Sequence, residues 1–246
     1  MDNSILITGS HRCGSTWVGN VLNLADNTQQ IYEPFNLSDW SYKMGDSLSY
    51  WFEYIPGNEK GRTNVEDSLA SILSCKASKV YPKRDLKRYF SFLRKGRIIF
   101  KDPIACMSSD WISQQAPFKV IVVVRHPLAF VKSLERVDWT FDFDHFLEQK
   151  NLMKSHLFPF EKELRNADQQ TFRYQALLLW KCIYKVLENY LRKNNDWIMV
   201  RHEDLSENPL LEFKSLYEKL DLKWSDQVEG KLEQMTSSDN PAEARG

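Results

Sequence analysis

The stretch Ile5-Leu6-Ile7-Thr8-Gly9-Ser10-His11-Arg12-Cys13-Gly14-Ser15-Thr16-Trp17 narrows what this chain can become more than any other. An apolar run of strand length leads into a turn that contains two glycines. Behind the turn, Trp17, Val18, Val21, Leu22 and Ala25 recur at helical spacing. A strand that passes through glycines into a helix gathers backbone N–H groups at the positive end of the helix dipole. Such a turn accommodates a phosphate or a sulfate. The plainer alternative is an ordinary strand-to-helix turn with a buried tryptophan.

Gly9 and Gly14 have the spacing of the nucleotide-binding pattern G-x-x-x-x-G-K-[ST], but Ser15 stands where that pattern has its lysine. In nucleotide triphosphatases that lysine reaches the β and γ phosphates. Its absence makes a triphosphate a poor fit. A cation remains earlier in the loop, at Arg12. The order Arg12, Cys13, Gly14, Ser15, Thr16, Trp17 resembles the phosphosulfate-binding loop of the sulfotransferases that use 3′-phosphoadenosine 5′-phosphosulfate (PAPS). There a basic residue, any residue, glycine, two hydroxyl residues and tryptophan follow in order.

A second stretch extends the resemblance. Residues 119–124 form the strongest strand signal of the chain, apolar almost throughout and therefore expected in the middle of a parallel sheet. Arg125-His126-Pro127 follows, with Pro127 placed to open a helix, and Ser133 lies eight positions beyond Arg125. In the family, an arginine and a serine at this spacing grip the 3′-phosphate of PAPS. An arginine suits that task because its fork donates two parallel hydrogen bonds. Lys101, at the end of the strand expected over 97–101, matches a family lysine near the 5′-phosphosulfate. Cytosolic members carry a catalytic histidine two residues after that lysine, and here Pro103 occupies the position.

A base must then come from elsewhere. Glu33, in Tyr32-Glu33-Pro34-Phe35, resembles the glutamate that carbohydrate and protein-tyrosine sulfotransferases place after their second strand. A carboxylate can take a hydroxyl proton if burial raises its pKa. The alternative is a glutamate that only pairs with an arginine such as Arg12. His11 is the second candidate base. The segment from Arg201 to Pro209 resembles the family's Tyr-Glu-Asp-Leu stretch and its Asn-Pro. His202 stands there for the aromatic residue near the adenine, and Glu203 and Asp204 read as structural.

The remaining chain alternates strands and helices, which implies a parallel sheet covered on both faces, with the site at the carboxyl ends of the strands. Helices are expected over 15–24, 65–75, 85–95, 127–134, 142–150, 160–166, 171–193 and 208–220, and strands over 5–8, 31–32 and 197–200. Residues 36–62, polar and aromatic, read either as an acceptor-side loop or as a surface excursion with a small aromatic cluster. Residues 236–246 read as loop or tail. Lys and Arg number 33 and Asp and Glu 33, so no overall field draws the chain to nucleic acid or to an anionic membrane. The cysteines, Cys13, Cys75, Cys106 and Cys182, lack metal-like spacing and read as reduced thiols. No run reaches membrane-spanning length, and the first strand begins too early to leave room for a signal peptide. A cytoplasmic protein is expected.

The resemblance implies one sulfotransferase domain over 1–246 with a three-layer, P-loop-kinase-like α/β fold. It implies PAPS as co-substrate, PAP as product and no metal. Arg12, Lys101 and Glu33 would be catalytic. Arg12, Cys13, Gly14, Ser15, Thr16, Trp17, Arg125, Ser133 and His202 would hold the nucleotide. The Glu-Pro pair points to a hydroxyl on a carbohydrate or glycolipid, with other small molecules open. Two alternatives stand beside this reading: a small-molecule kinase, for which Asp102 is the tempting magnesium ligand, and a nucleotide-binding regulator that needs no Glu33.

Overall fold

A computed structural model describes residues 4–38, 44, 47–57, 63–74 and 96–236. The strands are β1 (Ser4–Gly9), β2 (Thr28–Tyr32), β3 (Arg97–Lys101), β4 (Phe118–Val124) and β5 (Ile198–Arg201). They form one parallel sheet in the order β2-β3-β1-β4-β5. Ile5 lies opposite Ile99 on one side and Lys119 on the other.

Strand periodicity sorts the apolar residues into two cores. Leu6, Ile98, Phe100, Val120 and Val122 face one way. Their neighbours Ile5, Ile7, Ile99, Ile121 and Val123 face the other. All ten are buried, so a one-residue slip would exchange the faces of a whole strand. This is why β4 reads as an uninterrupted apolar run rather than an alternating one.

Helix α1 (Ser15–Leu22) covers the second face through Val18, Val21 and Leu22. Helices α2 (Thr63–Leu73), α3 (Ser109–Gln115), α4 (Pro127–Val137) and the long α5 (Phe172–Lys193) cover the first. Helix α6 (His202–Glu207) follows β5, and α7 (Pro209–Lys219) and α8 (Asp226–Thr236) return to the second face through Phe213, Leu216, Val228 and Leu232. The layers are thus helices, sheet, helices.

Helix α4 starts where expected: Pro127 takes the first turn and the His126 ring accepts from the Leu128 N–H at 3.3 Å. It runs past the expected end and stops at Asp138, in a left-handed conformation. The helix expected over 142–150 is two short pieces, Asp144–Leu147 and Lys150–Leu152, followed by a π-helical turn, Met153–Leu157. The helix expected over 85–95 lies outside the described residues. Helix α8 has no counterpart in the sequence reading. Among the described residues no helix is long and apolar enough to cross a membrane. Cys13, Cys106 and Cys182 are free and buried.

The chain leaves β1 toward β2 on one side and leaves β4 toward β5 on the other. A crevice therefore opens above the carboxyl ends of β1 and β4, the place where open α/β sheets take their ligands.

Candidate active site

The loop after β1 stands in that crevice. A Cβ on Gly9 would lie 2.3 Å from the carbonyl oxygen of Val123, so no larger residue fits. Arg12 (φ 60) and Gly14 (φ 95) are both left-handed. Gly14 caps α1 and offers no side chain to its leading N–H groups. The loop is braced from behind. Tyr184 Oη donates to the Val123 carbonyl at 2.9 Å and accepts from the Ser10 N–H at 3.3 Å.

Three arginines meet here. Arg12 Nε donates to Ser133 Oγ at 2.9 Å, and Arg125 Nη1 donates to the Arg12 carbonyl at 2.9 Å. Arg136, one turn of α4 beyond Ser133, lines the same cleft. Among the described residues none of the three pairs with a carboxylate. Burial, then the charges of Arg136 and Arg125, hold the Arg12 pKa below its ordinary value. The Nε of Arg125 is buried without a partner. Unneutralised cations that crowd one another mark a place built for an anion.

Below them lies an ion pair. Lys101, fully buried at the end of β3, donates from Nζ to Glu33 Oε1 at 2.5 Å and to Thr16 Oγ1 at 3.2 Å. Its ammonium stands 3.3 Å from the centre of the Tyr32 ring. Glu33 pairs with this lysine rather than with Arg12, and its Oε2 accepts from Asn36 Nδ2 at 3.0 Å. Glu33 has φ 47. The turn that follows β2 is fixed by the Glu33 N–H, which donates to the Lys101 carbonyl at 2.8 Å.

The other residues singled out from sequence separate by position. Ser15 is buried at the cleft and Thr16 is exposed within it, while Ser133 is buried behind Arg12, off the cleft's lining. Trp17 packs edge-on against Phe213 and near His202. His202 presses on the loop so closely that a Cβ on Gly14 would fall 2.1 Å from its ring. Cys13 is buried against the second core, where burial pushes the thiol pKa up to about 11 against the pull of hydrogen bonds from Ser15, and its sulfur packs inside the loop beside Gly9. His11 packs against Phe52, Phe130 and Trp139. Burial, then Arg12, pulls its pKa down to about 4. Glu203 accepts from the His126 N–H at 2.9 Å, and Asp204 pairs with Arg201 at 3.2 Å.

Asp102 is fully buried. Its carboxylate accepts from the backbone N–H groups of Phe35, Ile104 and Ala105 at 2.7, 2.9 and 3.1 Å. Burial, then Glu33, pushes its pKa up to about 7 against the pull of those bonds. It ties the turns after β2 and β3 together and has no free face for magnesium.

Of these groups, His11, Arg12, Ser15, Thr16, Glu33, Arg125, Arg136 and His202 line one cleft of about 1260 Å³, while Lys101 and Ser133 stand behind its surface, bonded to Glu33 and Arg12. Beyond the arginines, its walls are Trp51, Phe52, Trp139, Phe141, Phe143 and Phe172. Of the segment expected at the acceptor side, residues 36–62, the described part supplies Asn36, Ser38, Trp51 and Phe52 to this lining. Sequence reasoning passed over Arg136, although its position one turn after Ser133 was a usable signal. It also passed over 139–143, which carry no motif.

Sheet order, glycine loop and convergent cations define an α/β protein whose first strand-to-helix turn opens on a cleft lined by arginines. Within that class the chain belongs to the sulfotransferase domain family, whose model matches residues 2–244. Two solved structures share the fold. The sulfotransferase domain from the curacin biosynthetic pathway aligns with a TM-score of 0.53 at 19% identity, over 93% of this chain and 77% of that one. The sulfotransferase domain from the Synechococcus PCC 7002 olefin synthase aligns with a TM-score of 0.50 at 15% identity, over 92% and 75%. Among curated proteins, none matches the sequence.

Proposed function

We propose that the protein transfers the sulfuryl group of PAPS to an acceptor hydroxyl by in-line displacement. The observation that carries this reading is Arg125, a guanidinium with a buried, unpartnered Nε at the cleft beside Arg12 and Ser133. A buried donor without a partner is costly in the free protein. A phosphate, with several acceptor oxygens, would satisfy it. Arg125 and Ser133 thus take the 3′-phosphate, and His202 stands on the adenine side of Gly14.

Lys101 and Glu33 carry the chemistry. In the free protein they neutralise each other. A bound phosphosulfate offers Lys101 a second anion on the side where Thr16 already accepts from it. The acceptor oxygen then attacks sulfur, and the bond from sulfur to the bridging oxygen breaks. The acceptor proton passes to Glu33. Arg12, Lys101 and the N–H groups of residues 14–17 take up the charge left on PAP.

The kinase alternative lacks its lysine at Ser15, and its candidate magnesium ligand, Asp102, is committed to backbone N–H groups. Thermal unfolding tests the choice. A ligand at a hundred times its Kd adds about 2.7 kcal/mol of stability. PAP should raise Tm and ATP with magnesium should not, and Arg125→Ala should remove most of the PAP effect. Equal rises with both nucleotides would reject recognition of the 3′-phosphate.

A further inference from the structure

Past the arginines the cleft turns apolar, and its rings meet in series. His11 and Phe52 lie 5.6 Å apart between centroids, Phe52 and Phe141 5.5 Å, and Phe141 and Phe143 5.4 Å. Phe52 has φ 58, a left-handed conformation that a bulky residue adopts only when its surroundings impose it. Those surroundings are on either side of it. The Trp51 N–H donates to His145 Nδ1 at 3.2 Å and the Tyr54 N–H to Gln149 Oε1 at 2.7 Å. The aromatic wall is therefore preformed.

Polar side chains on these walls already serve the protein's own backbone. Asp142 Oδ1 accepts from the Asp144 N–H at 2.9 Å, His145 holds Trp51, and Gln175 Nε2 donates to the Gln170 carbonyl at 3.1 Å. A sugar would bring a ring of hydroxyls to a surface with few groups left to receive them. Small polar groups such as His11 Nδ1 and Thr140 remain on the wall, but the uncommitted cation is Arg136, exposed, at the cleft and without a carboxylate partner among the described residues. Under the proposed reading, the phosphates at the two ends of the nucleotide engage Arg12, Lys101, Arg125 and Ser133. Arg136 remains.

We infer that the acceptor is a hydroxylated molecule with an apolar body, aromatic or alkyl, and one carboxylate or similar anion. The body lies along the wall of Trp139 and Phe141, and the anion pairs with Arg136. This rests on sulfuryl transfer from PAPS and departs from the carbohydrate or glycolipid acceptor expected from sequence.

Calorimetric titration of the PAP-loaded protein tests it without turnover. The probes are hydroxyphenylpropionate and hydroxydodecanoate, each beside its uncharged carboxamide, with methyl glucoside as the polyhydroxylated control. At least one of the carboxylates should bind about tenfold more tightly than its amide, since the charge-assisted bond to Arg136 is lost in the amide. Arg136→Gln should erase that preference and leave the PAP Kd within about twofold. Equal binding of carboxylate and amide, tighter binding of the glucoside, or no binding of any probe to protein that holds PAP would overturn the inference. So would a loss of PAP affinity in Arg136→Gln, which would give this arginine to the nucleotide. Failure of wild-type protein to bind PAP is read in the first titration and defeats the sulfotransferase reading instead.

Discussion

Glu33 sits in a conformation that costs a non-glycine residue about 1–3 kcal/mol, with both carboxylate oxygens engaged. The bonds to Lys101 and Asn36 offset that cost and keep the carboxylate at the cleft, where an acceptor hydroxyl would arrive. Glu33→Gln should therefore lower kcat by about 10²–10⁴-fold, without loss of PAP affinity, since Lys101 is then freed for the nucleotide. Sulfation at the wild-type rate would remove Glu33 from the mechanism and leave a nucleotide-binding regulator in play. His11 is the weaker base because its pKa lies at about 4, below the ordinary 6.5, first through burial and then through Arg12. That shift has a signature of its own. Between about pH 6.5 and pH 4 the unfolded chain binds the His11 proton and the folded one does not. The stability held above pH 6.5 is therefore lost as pH falls through this window, by about 3 kcal/mol at most. Asp102, displaced upward, acts in the opposite sense over part of the same range. The readable quantity is consequently the difference between wild type and His11→Phe in denaturant titrations: the wild type should lose more stability on acidification, and parallel curves would mean that the ring is not kept neutral. At Gly14 two effects coincide, a φ of 95 and the His202 ring 2.1 Å from any added Cβ. Gly14→Ala should destabilise by about 1–3 kcal/mol. Adding His202→Ala should recover only the part due to the clash.

At the scale of elements, the long helix α5 positions the ligand loops as well as filling the core. Tyr184 joins the first loop to β4, and Trp180 Nε1 donates to the Arg125 carbonyl at 2.9 Å. Both sit on the helix face that meets β4, so the turns after β1 and β4 are held from the same rod. Tyr184→Phe keeps the ring and removes three bonds, to the Ser10 N–H, the Ser10 hydroxyl and the Val123 carbonyl. It should cost about 1–2 kcal/mol of stability and weaken PAP binding, whereas an unchanged PAP Kd would show that the loop holds its shape without this brace. The motif-bearing elements were legible because strand, glycine turn and helix are adjacent in sequence, as are Arg125, Pro127 and Ser133. Polar edge strands were less so. β2 reads Thr28-Gln29-Gln30 before its two apolar residues, because an edge strand can carry polar side chains that a central one cannot, and only 31–32 were foreseen. Helix α8 buries just Val228 and Leu232, too few contacts to show a period in sequence. In the far half of the cleft, Trp51 and Phe52 come from the aromatic segment 36–62 that already stood out in sequence, whereas Trp139, Phe141 and Phe172 had no local signal and reach the cleft only through the fold.

Across the whole molecule the formal charge is zero, yet its distribution is uneven. Acidic partners neutralise the surface cations of Lys119, Arg165, Arg173 and Arg192, while Arg12, Arg125 and Arg136 stand together without one among the described residues. Sequence alone could balance the totals but not say which charges lack partners, because pairing depends on residues far apart in the chain. An unpaired cluster at a cleft works against folding and favours the ligand, the usual conflict between stability and function at a binding site. The conflict has an observable consequence in the protein without ligand. Arg136→Gln removes one of the mutually repelling charges and, among the described residues, breaks no hydrogen bond. It should raise Tm of the free protein at low ionic strength. Repulsion between partly exposed charges is screened once the Debye length falls to about 3 Å, near 1 M salt. The gain should therefore vanish there, while a purely steric or packing effect of the substitution would persist. A variant less stable than wild type at every salt concentration would mean that Arg136 is held by favourable contacts, and the electrostatic account of the cluster would fail with it.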